Sequence, residues 1–186
     1  MHIIAGEFKG RNIPFNNKKQ GNARVTSDFV KKAVFSSLGE VLPGKRFLDL
    51  FSCSGQIGLE ACSRGAQVVM NEPDRKRSRF IAQLLAEWNL QDRIMLHSMP
   101  AEKLLPQLAH NHHTFDIVYL DPPYHEHFND LPAVVAFLHR IIETPILKPN
   151  AHIVVQHATS IHLPDIAFNM AKQKKYGDTT VSIFSV

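Results

Sequence analysis

The chain has 186 residues and a mass of 21.0 kDa, the size of one domain with room for a small appendage. Its hydrophobic content of 44% is ordinary for a globular protein, and no apolar run approaches the roughly 20 residues of a membrane span. Because two cysteines make no disulfide framework and the N-terminal sequence lacks the apolar core of a signal peptide, we expect a cytoplasmic protein that does not associate with membranes.

The formal net charge of +4 is spread unevenly along the chain. Residues 1–46 contain nine Lys and Arg against three Asp and Glu, whereas residues 47–186 contain twelve against fourteen. A localised basic segment is typical of proteins that bind the phosphate backbone of a nucleic acid. A solvated face that only aids solubility is the alternative.

The predicted elements begin with a small β-hairpin over residues 2–13, whose β-type residues are interrupted by two glycines. A polar, turn-rich loop follows over residues 14–24. Residues 26–39 predict a helix that begins at a capping Thr-Ser pair and ends at a glycine, with Phe29 and Val34 on its apolar face.

From residue 47 onward, short apolar runs alternate with helical patterns. The predicted strands cover residues 47–52, 67–72, 93–98, 115–120 and 152–157, and the tail over residues 169–186 predicts an antiparallel hairpin. The predicted helices cover residues 56–64, 74–89, 102–108 and 130–143. This alternation predicts an α/β fold, a doubly wound, mostly parallel seven-stranded sheet of the Rossmann-like type with helices on both faces.

Two predicted strands end in residues that can bind a nucleotide-like ligand, because doubly wound sheets bind ligands beyond the carboxyl ends of their strands. Asp49 lies in the first strand, which runs into a turn over residues 52–55 that ends in a glycine. Such a turn lets the backbone approach a ligand, and the following helix N-terminus offers N–H groups to an anion. Glu72 ends the next strand, where a carboxylate can accept both hydroxyls of a ribose. A tight turn and an exposed glutamate are the alternatives.

A third strand, residues 115–120, ends in the tetrapeptide Asp121-Pro122-Pro123-Tyr124. Proline restricts φ to near −65° and has no N–H, so the sheet cannot continue through this turn. The residue before a proline is kept out of helical geometry, so Asp121 is expected to be extended. The tetrapeptide therefore predicts a stiff turn that holds a carboxylate and an aromatic ring in fixed positions. A rigid turn with a packed ring and no ligand is the alternative.

Together these three strand ends, in this order, resemble the class I S-adenosylmethionine-dependent methyltransferases. The pattern [DN]-P-P-[YFW] is the signature of those that methylate an amino nitrogen on a nucleobase or an amide. The resemblance covers nearly the whole chain, which is similar to the RsmD family of 16S rRNA (guanine-N2) methyltransferases. The segments that carry it are IIAGEFKGRNIP, RVTSDFVKKAVFSSL, LDLFSCSGQIGLEACSRGA, FDIVYLDPPY and KKYGDTTVSIF.

The resemblance implies methyl transfer from S-adenosylmethionine to the exocyclic N2 amine of a guanine in small-subunit rRNA. Asp121 and the Pro122 carbonyl would accept hydrogen bonds from that amine, and Tyr124 would stack on the flipped base. The implied catalytic residues are Asp121, Pro122, Pro123 and Tyr124. The implied cofactor-binding residues are Asp49, Phe51, Ser52, Cys53, Ser54, Gly55, Glu72 and Asp121. The residues expected to bind RNA are Arg11, Lys18, Lys19, Arg24 and Tyr124.

Residues 1–40 are then expected to form an RNA-binding extension of hairpin, basic loop and helix, and residues 41–186 the methyltransferase domain. The expected partner is small-subunit rRNA in an assembled or assembling subunit, bound by a monomer. The histidines of residues 110–113 and 125–127 have no shared ligand spacing, so no metal is predicted.

The chain departs from the family pattern at several positions. Cys53 stands where the resemblance implies a glycine, and Ser98 and Met99 follow the third strand where it implies an acidic or amide residue that contacts adenine. Phe29 and Lys32 replace an arginine and a glutamate. Two other functions therefore remain open, a DNA adenine-N6 methyltransferase and a non-catalytic RNA-binding relative.

Overall fold

A computed structural model of the chain describes residues 1–21, 25–124, 126–128 and 130–186. The chain forms two compact units, Met1–Ala101 and Glu102–Val186. Seven strands of the described residues belong to one mostly parallel sheet, three from the first unit and four from the second. The predicted fold class is therefore confirmed. None of the described helices has the length and apolar character needed to cross a membrane.

The first unit contains a parallel three-stranded part of the sheet in the order β3-β2-β1. Its strands are β1 (Arg46–Asp49), β2 (Gln67–Asn71) and β3 (Ile94–His97), and its helices are α1 (Asn17–Gln20), α2 (Asp28–Leu38), α3 (Gln56–Ser63) and α4 (Arg75–Glu87). Each strand is four or five residues long and contains two or three successive apolar residues followed by a polar one.

The second unit contributes strands in the order β4-β7-β9-β8, in which β4 and β7 pair in parallel and β9 pairs antiparallel with both β7 and β8. Its elements are α5 (Ala101–His110), β4 (Phe115–Leu120), β5 (His127–Phe128), β6 (Leu131–Pro132), α6 (Ala133–Glu143), β7 (Leu147–Ala158), β8 (Asn169–Tyr176) and β9 (Thr179–Ser185). Strand β4 and the C-terminal hairpin lie where the sequence predicts them. The short hairpin of β5 and β6 was not predicted, and it delays the start of α6 to residue 133.

Helix α2 has the predicted ends but a different buried face. The Ser27 side chain caps it by accepting a hydrogen bond from the Val30 N–H at 3.3 Å. Phe29 is 69% exposed, so its predicted place on the apolar face is wrong. Lys31 is 0% exposed instead, because its ammonium pairs with Glu60 at 3.8 Å and donates to the His2 carbonyl at 2.6 Å. Partners outside the helix therefore decide which face is buried.

The loop predicted over residues 14–24 contains the single helical turn α1, which the sequence did not predict. Asn16 caps this turn because its side-chain oxygen accepts hydrogen bonds from the N–H groups of Lys18 and Lys19. Arg24 lies outside the described residues.

The predicted N-terminal hairpin is present in short form. It has one antiparallel bridge, between His2 and Asn12, and its two arms are also joined by backbone hydrogen bonds, from the Ile3 N–H to the Arg11 carbonyl and from the Ile13 N–H to the Met1 carbonyl. The segment is held by helix α3 as well. Glu60 of α3 accepts hydrogen bonds from the N–H groups of Ile4 and Ala5, at 2.7 and 3.0 Å. Ser63 donates from its hydroxyl to the Ala5 carbonyl at 2.6 Å. The N-terminal segment is thus fixed to the rest of the first unit through buried polar groups.

Gly6 marks the closest approach of this segment to α3. Its φ is +83°, and a Cβ there would lie 1.9 Å from the Ser63 carbonyl oxygen. We expect Gly6→Ala to lower the free energy of unfolding by about 3 kcal/mol, since strain and a backbone clash add. Gly10→Ala is the matched control, because Gly10 has a φ of +85° and no atom within 4 Å of the place that a methyl group would occupy. Urea denaturation of both variants gives the comparison, and equal losses would contradict the role of the clash.

Candidate active site

Strand β1 carries Asp49 to a buried position in the first unit, where 1% of the residue is exposed. One carboxylate oxygen, Oδ2, accepts a hydrogen bond from the Gly58 N–H at 3.1 Å. No described residue donates to the other oxygen, Oδ1. Burial raises the pKa of Asp49 to about 7, against the lowering effect of the hydrogen bond from the Gly58 N–H. A buried carboxylate with an open acceptor fits a cationic ligand group.

The turn after β1 forms the start of α3. Ser52 donates from its hydroxyl to the Asp49 carbonyl at 3.0 Å, and Gly55 occupies the helix N-cap with a φ of +77°. Ser54 is buried, and Phe51 is half-buried. The predicted glycine-containing turn into a helix is therefore present, with the N–H groups of the first helical turn at its end.

Cys53 has a φ of +50°, in the left-handed region. This conformation costs a residue with a Cβ about 1–2 kcal/mol, and glycine adopts it without that cost. The backbone angle therefore favours a glycine at this position, the residue that the sequence resemblance implies. In this conformation the Cys53 N–H donates a hydrogen bond to the Glu72 carboxylate at 2.8 Å.

We expect Cys53→Gly to raise the free energy of unfolding by about 0.5–1 kcal/mol, because relief of strain exceeds the added entropy of the unfolded chain. Cys53→Ala is the control, since it removes the sulfur and keeps the Cβ. Urea unfolding at equilibrium measures both. An equal gain in the alanine variant would show that the sulfur, and not the backbone angle, is responsible.

Glu72 is buried beside this turn at the end of β2. Its Oε2 accepts from the Cys53 N–H, and its Oε1 accepts from the Asp74 N–H at 2.8 Å and pairs with Arg77 at 3.0 Å. A carboxylate has about four acceptor positions, so capacity for a further donor remains. The first unit thus brings Asp49, the turn and Glu72 together. The sequence analysis did not identify Arg77 as a partner of Glu72. Its position in the first turn of the helix that Asp74 caps, just after Glu72, could have indicated this contact.

Asp121 follows β4 in the second unit, where its carboxylate is half-buried. Gln156 of β7 donates from its amide nitrogen to Oδ2 of Asp121 at 2.9 Å. The amide oxygen of Gln156 in turn accepts a hydrogen bond from the Tyr119 hydroxyl at 2.7 Å. This relay fixes the orientation of the Gln156 amide and, through it, the carboxylate. Sequence reasoning did not single out Gln156, although it is a buried polar residue inside an apolar strand.

The two prolines after Asp121 differ in exposure, since Pro122 is buried and Pro123 is exposed. Tyr124 is half-buried, and its hydroxyl donates to the Thr179 hydroxyl oxygen at 3.3 Å. The ring is therefore tethered at its far end as well as by the turn. The structure brings together the four residues of the tetrapeptide as the sequence predicts, and it adds Gln156 and Thr179.

The residues predicted to bind RNA near the N-terminus lie at the surface where they are described. Lys18 and Lys19 are exposed on α1. Arg11 is exposed, and its guanidinium lies 5.1 Å from the ring centroids of both Phe8 and Trp88. These contacts orient the guanidinium and leave its N–H groups for a phosphate. Their role in RNA binding stays a prediction. The described residues contain no group of three or more potential metal ligands.

The mostly parallel sheet and the polar strand ends define a Rossmann-like methyltransferase fold. The structure of yhhF from Escherichia coli, provisionally named a methyltransferase, matches the chain with a TM-score of 0.82 and 25% identity, over 100% of this chain and 97% of that one. Two more distant fold neighbours have S-adenosyl-L-homocysteine bound.

Sequence comparison assigns the chain to one family. The family model described as Conserved hypothetical protein 95 matches residues 1–185. YlbH of Bacillus subtilis, provisionally named an rRNA methyltransferase, is 31% identical over 99% of this chain and 98% of its own length. Ribosomal RNA small subunit methyltransferase D of Haemophilus influenzae is 33% identical over 84% of this chain and 78% of its own length. The chain therefore belongs to this family, the RsmD family of rRNA methyltransferases, as the sequence resemblance predicts.

Proposed function

We propose that this chain transfers a methyl group from S-adenosylmethionine to the exocyclic N2 amine of a guanine in 16S rRNA. The observation that carries the proposal is the Asp121-Pro122-Pro123-Tyr124 turn, whose carboxylate is bound by Gln156 and whose ring is tethered by Thr179. Membership in a family of rRNA methyltransferases supports rRNA as the substrate. An amine as the methyl acceptor follows from the chemistry of the turn.

The cofactor is S-adenosylmethionine, which supplies a methyl group on a positively charged sulfur. The residues of the first unit fit such a ligand. The open, buried Oδ1 of Asp49 suits the ammonium of its methionine part. Glu72 retains acceptor capacity for one ribose hydroxyl. Phe51 and the turn over residues 52–55 complete the proposed cofactor site.

The residues of the second unit fit the amine. The amine of guanine is a weak nucleophile because its lone pair is delocalised into the ring. Asp121 and the Pro122 carbonyl accept hydrogen bonds from its two hydrogens, which draws the nitrogen toward tetrahedral geometry and frees the lone pair. Tyr124 stacks on the extruded base, a contact worth about 1–3 kcal/mol. The proline turn holds both acceptors and the ring, so less entropy is lost when the base binds.

The N-terminal extension, residues 1–40, completes the proposal as the RNA-binding element. Its exposed cations Arg11, Lys18 and Lys19, together with Arg24, would contact phosphates. The proposed substrate form is the assembled or assembling small subunit, and the proposed active species is a cytoplasmic monomer.

The test is methyl transfer from labelled S-adenosylmethionine to small-subunit particles, naked rRNA and DNA in parallel, followed by nucleoside analysis. We expect N2-methylguanosine in the RNA, with the particles as the better substrate. Methyladenine in DNA would overturn the substrate while leaving the amine chemistry in place. RNA binding without transfer to any substrate would instead identify a non-catalytic relative.

A further inference from the structure

The candidate base-binding ring is connected to the C-terminal hairpin. The Tyr124 hydroxyl donates to Thr179, the first residue of β9. Thr179 is in turn the cross-strand partner of Tyr176, the last residue of β8. Directly opposed residues of an antiparallel pair have their side chains on the same face of the sheet. Tyr176 therefore lies on the face to which Tyr124 is tethered.

Strand β8 continues this face with positive charge. Its register pairs Lys174 with Val181 and Lys172 with Ile183, so both lysines share the face of Tyr176. Val181 is also the partner of Gln156 on the neighbouring strand, and Gln156 binds the Asp121 carboxylate. The side chains of Tyr176, Lys174 and Lys172 thus share one face of the sheet with Gln156 and Thr179, the residues that bind Asp121 and Tyr124.

The position and composition of β8 suit a nucleic-acid strand. Strand β8 is the last strand in the sheet order, and residues 169–175 are all exposed. The Lys174 ammonium lies 5.6 Å from the centroid of the Tyr176 ring. A ring for base stacking beside cations for phosphates is the combination found in proteins that bind single-stranded nucleic acid. Lysines on an exposed edge strand also oppose pairing with a strand of another protein, which favours RNA as the occupant.

We propose that β8 binds the RNA strand that flanks the target nucleotide, with phosphates on Lys172 and Lys174 and a neighbouring base on Tyr176. This inference rests on the proposed function, because it takes Tyr124 as the residue that holds the target base. It places a second basic surface outside the N-terminal segment, in the part of the chain whose net charge is slightly negative.

Adjacent lysines of β8 provide a matched pair for the test. Lys174 lies on the proposed RNA face, whereas Lys175 pairs with Thr180 on the opposite face. Both are exposed, so Lys174→Glu and Lys175→Glu change the same charge with little effect on folding. The probes are labelled 16S rRNA and labelled small-subunit particles, bound in fluorescence titrations at several salt concentrations.

We expect Lys174→Glu to weaken RNA binding about tenfold and to lower the slope of log affinity against log salt by about 1. Lys175→Glu should change neither by more than about twofold. Tyr176→Ala should weaken binding about tenfold through loss of stacking, and Tyr176→Phe should restore it. Equal losses in the two lysine variants, no loss in either, or no RNA binding by the unmodified chain would each overturn the inference.

Nucleoside analysis of the same samples separates this inference from the proposed function. If RNA binding depends on Lys174 but no methylated guanine is formed, the proposed reaction is contradicted. The proposed RNA-binding surface on β8 is still supported. If both the Lys174→Glu and the Lys175→Glu variants form methylated guanine with equal KM for RNA, the proposed reaction is supported. The proposed RNA-binding surface on β8 is then contradicted.

Discussion

Asp121→Ala is expected to lower the rate of methyl transfer by about 10³-fold or more, with little change in RNA affinity. The substitution removes the carboxylate that accepts a hydrogen bond from the substrate amine, and it leaves Gln156 and Tyr124 in place. The interaction is needed when the nitrogen becomes tetrahedral, so the effect belongs to kcat rather than KM. Single-turnover transfer of labelled methyl groups, with RNA titrations alongside, measures both quantities.

The same strand offers a control for this prediction. Asp116 also lies on β4, and it forms an ion pair with Lys148 at 2.7 Å in a partly exposed position. Asp116→Ala should leave the transfer rate within about twofold of the unmodified chain, since such pairs contribute little. Gln156→Leu should fall between the two, because the carboxylate remains but loses the amide that positions it. Full activity in Asp121→Ala would contradict the proposed mechanism.

The sequence was most informative where local chemistry decides the structure. The bounds of β4 were predicted correctly because an apolar run meets Asp121 and two prolines, which end a strand regardless of what surrounds it. The ends of α2 were predicted correctly for a similar reason, since Ser27 and a following glycine act on their own helix. The candidate site residues Asp49, Glu72 and Asp121 were identified for the same reason, since each lies at or next to the end of a strand.

The features that were missed depend on residues far apart in the chain. Burial of Lys31 requires Glu60 and the carbonyl of His2, and periodicity within α2 contains no information about either. The link from Gln156 to Asp121 spans 35 positions and exists only when β4 pairs with β7. The sequence resemblance implies a glycine in place of Cys53, but only the φ of Cys53 gives a physical reason for it.

The second large effect concerns Asp49 and pH. Burial raises its pKa from 3.8 to about 7, so the folded chain holds a proton that the unfolded chain releases near pH 4. The free energy of unfolding should therefore fall as pH rises from about 4 to about 7, by about 4 kcal/mol in total. Asp49→Asn has no such group and should lose this part of the pH dependence. Urea denaturation of both proteins without ligand, between pH 4 and pH 8, tests the difference.

Ligand binding should show the opposite trend with pH. An ammonium beside Asp49 favours the ionised carboxylate, so the proton must leave when S-adenosyl-L-homocysteine binds below pH 7. The affinity of the unmodified chain should then rise by up to about tenfold per pH unit between pH 5 and pH 7, and level off above that range. Asp49→Asn should bind more weakly, and without this dependence. Calorimetry in buffers of different ionisation enthalpy counts the proton directly. Release of about one proton at pH 6 and almost none at pH 8 is expected, and equal release in Asp49→Asn would assign the proton to another group.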